Sequence, residues 1–192
     1  MATAESTVRH IADQMLATRG WSPLGGAEPS ACDTERPAVL SGITVYTHAD
    51  KRLALMFAHA HARIGIRDVR TLIEYARTCD VAHIVLVTTA AVTAFAQQNL
   101  GQLAHSNGLR VETWLRSHLL INPLMHRLCP PMRVLSAEER SAVAARHRLR
   151  DLPKILEDDI VARFCGARAG DVFEIVRPHP DGYTYTVHRT VV

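Results

Sequence analysis

The stretch from Leu152 to Arg189, LPKILEDDIVARFCGARAGDVFEIVRPHPDGYTYTVHR, decides the fold of the C-terminal part of the chain. A short run from Asp159 to about Cys165 predicts a helix, and Gly166 provides the left-handed residue at which a helix stops. Residues 171–176 and 183–192 then alternate in the manner of strands, on either side of a turn at 178–182. The pattern predicts a compact α+β module. We expect its core to contain Leu152, Ile155, Val161, Phe164, Val172, Ile175 and Val187.

Upstream of this stretch lie prolines and a strong helix start. Asn122-Pro123 and Cys129-Pro130-Pro131 interrupt the chain in the way that a connection between two modules does. Ser136 and Glu139 form a capping box, which predicts a helix from there to about His147. We therefore place a boundary near residues 118–130 and divide the chain into an N-terminal domain, 1–120, and a C-terminal domain, 121–192.

The first 120 residues alternate helix and strand patterns. Apolar residues at helical spacing predict helices over 7–19, 67–78 and 90–105. Runs rich in β-prone residues predict a hairpin around 48–51 and strands over 81–87 and 110–114. Residues 25–37 are rich in Gly, Pro, Ser and Thr and predict a surface loop. Together these elements predict a small α/β domain.

Composition excludes several classes of protein. The 192 residues are 47% apolar and 21% charged, which is typical of a globular chain and not of a disordered or low-complexity one. We expect no membrane span and no secretory or transit peptide, because no apolar run is long enough and the first ten residues lack an apolar segment. A net charge of +3 is too small for a dedicated, free-standing nucleic-acid binder.

Motifs of catalysis and metal binding are absent from the sequence. It contains no G-x-S-x-G, no Walker loop, no G-x-G-x-x-G and no H-E-x-x-H. The four cysteines form no C-x-x-C pair, and the H-x-H formed by His59 and His61 is too common to indicate a metal. We therefore expect no catalytic residues, no metal site and no cofactor.

An ordered set of residues in the C-terminal part carries a family resemblance. It begins with Leu-Pro-basic-Ile, continues with an acidic residue and Val-Ala-Arg-aromatic before a glycine, and ends with basic-x-Gly, a strand, Arg-Pro and a final strand. In this sequence the elements fall on Leu152, Pro153, Lys154, Ile155, Asp159, Val161, Ala162, Arg163, Phe164, Gly166, Arg168, Gly170, Ile175, Arg177, Pro178, Tyr185 and Arg189. This set resembles the C-terminal module of the shared fifth subunit of eukaryotic nuclear RNA polymerases and of its archaeal counterpart.

The resemblance continues, more weakly, toward the N-terminus. Gly65-Ile66-Arg67 before a helix, the strand over 84–87 and the first helix ending at Arg19-Gly20-Trp21 resemble the jaw domain of eukaryotic members, which is restriction-endonuclease-like. The sequence departs from the family where Ile160 replaces a usual proline, in the turn after Pro178 and in a shortened connection after Arg150. A divergent member, or a polymerase subunit of a large DNA virus, fits this pattern.

The resemblance implies a function and a set of partners. A member would be a non-catalytic subunit of a DNA-directed RNA polymerase that docks on the largest subunit, assembles with other core subunits and lies beside downstream duplex DNA. It would act in the nucleus, or in a virion or viral factory if the source is a large DNA virus. Catalytic Mg²⁺ would belong to other subunits.

The residues that carry the resemblance are also the candidate site residues. For contact with the largest subunit the candidates are Leu152, Pro153, Ile155, Arg163, Gly166, Arg168, Gly170, Arg177, Pro178 and Arg189. For Gly166 and Gly170 a purely backbone role is the alternative. The last strand, 183–192, could offer an edge to a partner's sheet. Phosphate contacts in the jaw are expected from Lys51, Arg52, Arg63, Arg67 and Arg70, for which a solvated surface is the alternative.

Two other functions compete with the subunit interpretation. A nuclease of the restriction-endonuclease type needs an acidic residue two positions before a lysine, but Ala49 and Leu152 stand two positions before Lys51 and Lys154. A free adaptor or transcription regulator could use the same polymerase-binding module to recruit another protein. Such an adaptor would wash off the polymerase at high salt, whereas a core subunit would remain in equal amount.

Overall fold

The computed structural model describes residues 2–24 and 37–192, so the loop predicted over 25–37 lies, except for its last residue, outside the described residues. The chain divides into two compact units. We call residues 1–12 with 20–120 the first unit, and residues 13–19 with 121–192 the second unit. The first helix, α1 (Ala2–Thr18), thus contributes its beginning to one unit and its end to the other.

A five-stranded sheet forms the centre of the first unit. Its strands are β1 (Ser22–Pro23), β2 (Leu40–His48), β3 (Lys51–Ala58), β4 (His83–Thr88) and β5 (Arg110–Leu115), and they lie side by side in chain order. The β1–β2 and β2–β3 pairs are antiparallel, whereas β3–β4 and β4–β5 are parallel. Parallel neighbours need a crossover connection, and the helices α2 (Ile66–Thr78) and α3 (Ala94–Ser106) provide the two crossovers.

Both faces of this sheet are covered. Every residue of β4 is buried. The continuous apolar run in the sequence predicted such a strand, with neither face exposed to solvent. On one face the even residues of β3 pack with buried residues of α2 and α3. On the other face the guanidinium of Arg9, in α1, lies 5.0 Å from the centre of the Phe57 ring.

A smaller mixed sheet forms the second unit. Its strands, in spatial order, are β6 (Met132–Val134), β8 (Val172–Pro178), β9 (Thr184–Val191) and β7 (Lys154–Ile155). The helix α5 (Ile160–Cys165) packs on it through Ala162, against Phe173, Ile175 and Val191. The helix α4 (Ala137–Arg146) begins at the predicted capping box: Glu139 N–H donates to Ser136 Oγ, and Ser136 N–H donates to the Glu139 carboxylate.

The structure confirms a mixed α/β chain and corrects details of the prediction. The helix expected from residue 90 begins at Ala94, because the Thr93 side chain accepts a hydrogen bond from the Ala96 amide and so caps the helix there. In the second unit Phe164, Val172 and Ile175 are buried as expected. Ile155 is half-buried but packs against this core. The core prediction is wrong for Leu152, Val161 and Val187, which are half-buried, and it missed the fully buried Phe173.

Candidate docking groove

The short helix α5 is fixed at both ends. At its N-terminus the Asp159 carboxylate accepts hydrogen bonds from the amides of Val161 and Ala162, at 2.8 and 3.4 Å. At its C-terminus Gly166 adopts the left-handed conformation with φ +72°. Arg19, from the end of α1, donates to the carbonyl oxygens of Phe164 (3.1 Å) and Arg163 (2.6 Å). Cations stabilise the C-terminal carbonyls of a helix, so Arg19 supports the end that has no capping side chain of its own.

The register of β8 and β9 places two arginines on the face that α5 covers. Phe173 lies opposite Arg189, Ile175 opposite Val187, and Arg177 opposite Tyr185. Because side chains alternate between faces, all of these point to the side on which Phe173 and Ile175 contact α5. The helix covers only part of the face, and both arginines lie in the part that it leaves open.

An open groove of about 490 Å³ occupies that part of the face. Its floor contains Ile175, between the two arginines, and Ile155 of β7. One wall is the beginning of α5, and the opposite wall is the proline-rich segment after residue 120. Ile121, Leu128 and Ile160 stand on these walls with 66%, 77% and 37% of their surface exposed. Large apolar side chains that are both exposed and grouped are typical of a binding surface.

The charged groups of the groove are unevenly matched. The Asp159 carboxylate is engaged in capping α5. Arg189 donates from Nη1 to the Lys154 carbonyl oxygen at 3.3 Å, and its buried Nε has no hydrogen-bond acceptor within the described part of the chain. Arg177 makes no ion pair with any residue in 2–24 or 37–192. The groove is therefore apolar with an excess of positive charge.

The structure brings only three of the ten predicted partner-binding residues into the groove, namely Ile155, Arg177 and Arg189. Three others have evident structural roles. The Pro153 carbonyl accepts the Thr190 amide at 2.9 Å, Gly166 terminates α5, and Gly170 has a positive φ of 91° while its amide donates to the Val191 carbonyl.

The remaining four predicted residues lie outside the groove lining. Leu152 follows a short 3-10 turn and is half-buried. Arg163 provides a carbonyl to Arg19, Arg168 faces the Glu157 carboxylate at 3.7 Å, and Pro178 is exposed at the end of β8. The role of all ten in partner binding stays a prediction.

The five basic residues predicted to approach DNA are all exposed but do not form one cluster. Lys51 and Arg52 begin β3, whereas Arg63 and Arg67 lie just before and within the first turn of α2, beyond the far end of that strand. A strand of this length spans roughly 23 Å, so the two groups stand at opposite ends of the sheet. Arg70 lies one turn further along α2.

The sequence contains a signal for the groove walls that lies outside the predicted site residues. Ile121 and Leu128 are large apolar residues on either side of a short 3-10 turn in a segment interrupted by prolines, and such residues cannot all turn inward. Arg19 has no such signal, because its partners are backbone carbonyls more than 140 residues away.

Two groups of ionisable side chains in the second unit have shifted pKa values. The Arg133 guanidinium and the Ser136 amide hold the pKa of Glu139 at about 2, below its ordinary value. Glu139 and Glu174 in turn raise the pKa of Arg133. Burial raises the pKa of Cys165 to about 11 and also raises that of Cys129. Neither thiol has the lowered pKa of a reactive cysteine.

Metal-binding clusters and membrane-spanning helices are both absent from the described ranges. Residues 2–24 and 37–192 contain no group of three or more His, Cys, Asp or Glu side chains placed to hold a metal ion. None of the helices found there combines the length and the apolar character needed to cross a bilayer.

Comparisons with known proteins agree on one family. Residues 121–191 match the family model described as "RNA polymerase Rpb5, C-terminal domain". The chain is 31% identical over 164 residues to the Caenorhabditis elegans "DNA-directed RNA polymerases I, II, and III subunit RPABC1", covering 83% of this chain and 77% of that protein. The Caenorhabditis briggsae protein of the same name is 31% identical over 185 residues, covering 94% and 84%. Subunit Rpo5 of the Pyrococcus abyssi DNA-directed RNA polymerase is 37% identical over 73 residues, covering 37% and 89%.

Proposed function

Because this chain belongs to the Rpb5 family of RNA polymerase subunits, we propose that its second unit is an assembly module that docks on the largest subunit of a DNA-directed RNA polymerase. The chain is a non-catalytic component of such an enzyme, and other subunits of the complex are its partners. The module comprises the predicted domain 121–192 together with residues 13–19. Kinship with subunits of RNA polymerases I, II and III supports a nuclear location.

The distribution of exposed apolar residues is the observation that carries the docking proposal. Eight of the eleven large apolar side chains exposed in the described residues belong to the second unit, although it is the smaller of the two. Three of the eight, Ile121, Leu128 and Ile160, stand around the groove. Permanent subunit interfaces are large and apolar, so this surface fits a subunit that is buried in an assembly.

Co-purification with a matched pair of variants tests the docking. The tagged chain is expressed in its native source, purified with a high-salt wash, and the bound subunits are quantified by mass spectrometry. We expect the two largest polymerase subunits in equal amount with the wild type. Ile121→Asp should reduce their recovery severalfold, because it places a charge in the apolar interface. Phe95→Asp is the control, since Phe95 has the same 66% exposure but lies on α3 of the first unit.

One result would favour the adaptor, and another would exclude the proposed docking surface. Loss of the polymerase from the wild type during the high-salt wash would favour the free adaptor. Equal recovery with Ile121→Asp and with the wild type would exclude the second unit's apolar surface as the docking surface.

We further propose that the first unit is the jaw domain, with a restriction-endonuclease-like arrangement, and that its exposed basic residues approach downstream DNA. A mixed sheet with α2 and α3 on one face is compatible with that arrangement. The exposure of Lys51, Arg52, Arg63, Arg67 and Arg70 supports the phosphate contacts.

Salt dependence of DNA binding by the assembled polymerase tests this second proposal. The pairs Lys51→Gln with Arg52→Gln, and Arg63→Gln with Arg67→Gln, are compared because they stand at opposite ends of the sheet. Each lost phosphate contact should reduce the slope of log K against log salt by about 0.9. Arg146→Gln, at an exposed position of the second unit, is the control. An unchanged slope in both pairs would contradict the proposal.

A further inference from the structure

The outer edge of β9 is only partly covered. β7 pairs with Thr190 and Val191 alone, and the Thr190 amide donates to the Pro153 carbonyl on that side. Backbone groups of an antiparallel strand point alternately to its two sides. The amides and carbonyls of Thr184, Thr186 and His188 therefore face the same side as those of Thr190, where no other strand of residues 2–24 or 37–192 pairs with them.

The side chains that alternate with these edge residues point toward the groove. Tyr185, Val187 and Arg189 lie on the groove face, and Tyr185 lies opposite Arg177. The two arginines are thus separated by four residue positions along the strand direction, roughly 13 Å. Apolar Ile175 and Val187 form a cross-strand pair midway between them. Along the strand direction a positive, an apolar and a positive position therefore follow one another, with Arg177 on β8, the Ile175–Val187 pair across both strands and Arg189 on β9.

We propose that the free edge of β9 and the groove together bind one extended segment of a partner polymerase subunit, with acidic residues at positions i and i+4 and a large apolar residue at i+2. The inference rests on the proposed docking function and specifies the chemistry of the segment that docks.

Backbone and side-chain features both support this occupant. An unpaired strand edge binds another strand through main-chain hydrogen bonds, which requires an extended partner. In an extended chain the residues i, i+2 and i+4 share one face, so on the groove side they would lie beside Val187 and Arg189 of β9, and a long acidic side chain would reach across Tyr185 toward Arg177 of β8. Arg189 Nε is buried without an acceptor in the described part of the chain, and a carboxylate would satisfy it with a charge-assisted hydrogen bond.

A nucleic acid is the other polymer that offers anions at a regular spacing. It would place phosphates and sugars against Ile121, Leu128 and Ile160, whose large exposed apolar surfaces a partner must cover. The apolar walls therefore favour a polypeptide, and an oligonucleotide serves as a competitor in the test.

Peptide binding to the full chain tests the pattern. Overlapping fluorescent 15-residue peptides covering the two largest subunits of the source polymerase are titrated with the protein, and binding is read by fluorescence polarisation. We expect the bound peptides to share acidic-x-apolar-x-acidic. Replacing either acid by its amide should weaken binding about tenfold, and so should Arg177→Gln or Arg189→Gln. N-methylation of the backbone at alternate residues should abolish binding, whereas Arg146→Gln should leave it unchanged.

The controls keep folding and binding apart. Arg189 also bonds to the Lys154 carbonyl, so its variant could disturb the sheet. Arg177 has no such bond, and the amide-substituted peptides leave the protein untouched. The Arg177→Gln variant and the amide-substituted peptides therefore test the acidic pattern even if Arg189→Gln unfolds the protein.

Three results of the peptide titrations would overturn the inference. They are the absence of any bound peptide with this pattern, equal binding of the acid and amide peptides, and displacement of the peptide by a single-stranded oligonucleotide at comparable concentration. Failure of the inference is distinguishable from failure of the docking proposal. If the Arg177→Gln, Arg189→Gln double variant co-purifies with the polymerase like the wild type, docking stands and this mode of binding is excluded. If the wild type does not co-purify, docking fails whatever the peptides show.

Discussion

Gly166→Ala is the substitution whose cost is best defined by the structure. Gly166 has φ +72°, and a left-handed alanine costs about 1–2 kcal/mol. The added Cβ would also lie 3.1 Å from Cδ and Nε of Arg19. That guanidinium holds the last carbonyls of α5, and hydrogen bonds from a charged group contribute roughly 1.5–3 kcal/mol each. Partial loss of these bonds raises the expected cost to about 2–4 kcal/mol.

The contact with Arg19 is separable from the backbone cost by a double-mutant cycle. In an Arg19→Ala background the three atoms nearest to the new Cβ, all in the Arg19 side chain, are gone, so the penalty of the left-handed conformation remains without this contact. Gly166→Ala should therefore cost less there than in the wild type, by about 1–2 kcal/mol. Arg19→Ala alone should also destabilise α5, because the Phe164 and Arg163 carbonyls lose the charged donor, although the Gly166 amide still donates to the Arg163 carbonyl at 2.9 Å.

Local hydrogen exchange is the suitable assay, because a chain of two units need not unfold in one step. The Ala167 amide donates to the Ala162 carbonyl at 3.0 Å, so its opening free energy reports directly on the end of α5. An equal cost of Gly166→Ala in both backgrounds would refute the proposed contact. No cost in either background would refute the left-handed conformation itself.

Three further predictions concern α4, a thiol and the start of α5. Glu139 has a folded pKa of about 2, below its unfolded value, so its contacts with Arg133 and Ser136 stabilise α4 above pH 4.5 and are lost as the pH falls toward 2. Amide exchange in α4 should show this loss, and Glu139→Gln should remove the pH dependence; a flat wild-type profile would contradict the interaction. Because Cys165 has a pKa of about 11, iodoacetamide should alkylate it far more slowly at pH 8 than a free cysteine, and the rate should rise about tenfold per pH unit. Mass spectrometry of the labelled peptide measures the rate. Labelling as fast as that of a model thiol would contradict the burial of Cys165. Ile160→Pro should leave the hydrogen exchange of the Ala167 amide unchanged, because residue 160 is the first of α5 and its amide is not among those that Asp159 binds. Much faster exchange would show that the Ile160 amide has a necessary acceptor.

Features with a local cause were predictable from the sequence. The capping box at Ser136, the Asp159 to Gly166 helix and the β8–β9 hairpin each depend on residues a few positions apart. The departure at Ile160 has a local explanation as well. Proline is favoured at the first position of a helix, so a residue that replaces it there leaves the helix intact.

Features that depend on distant residues were not predictable in the same way. Phe173 was missed because Val172 and Phe173 are both fully buried, so alternation along β8 does not reveal which one faces α5. The basic residues at 51–70 are close in sequence, yet the length of β3 separates Arg52 from Arg63. The family resemblance predicted two groove residues, Arg177 and Arg189. It did not predict the walls at Ile121 and Leu128, because these depend on how the proline-rich segment packs beside the sheet.

The two ends of α5 link the stability of the second unit to its proposed binding surface. A helix of six residues is too short to persist through its own hydrogen bonds, so its position depends on its caps and on burial of Ala162 and Phe164. Its first residues form a wall of the groove, while Arg19 fixes its last turn. Arg19 lines no part of the groove and is a positioning residue for it. Loosening the last turn would therefore weaken partner binding through the wall while leaving Arg177 and Arg189 in place.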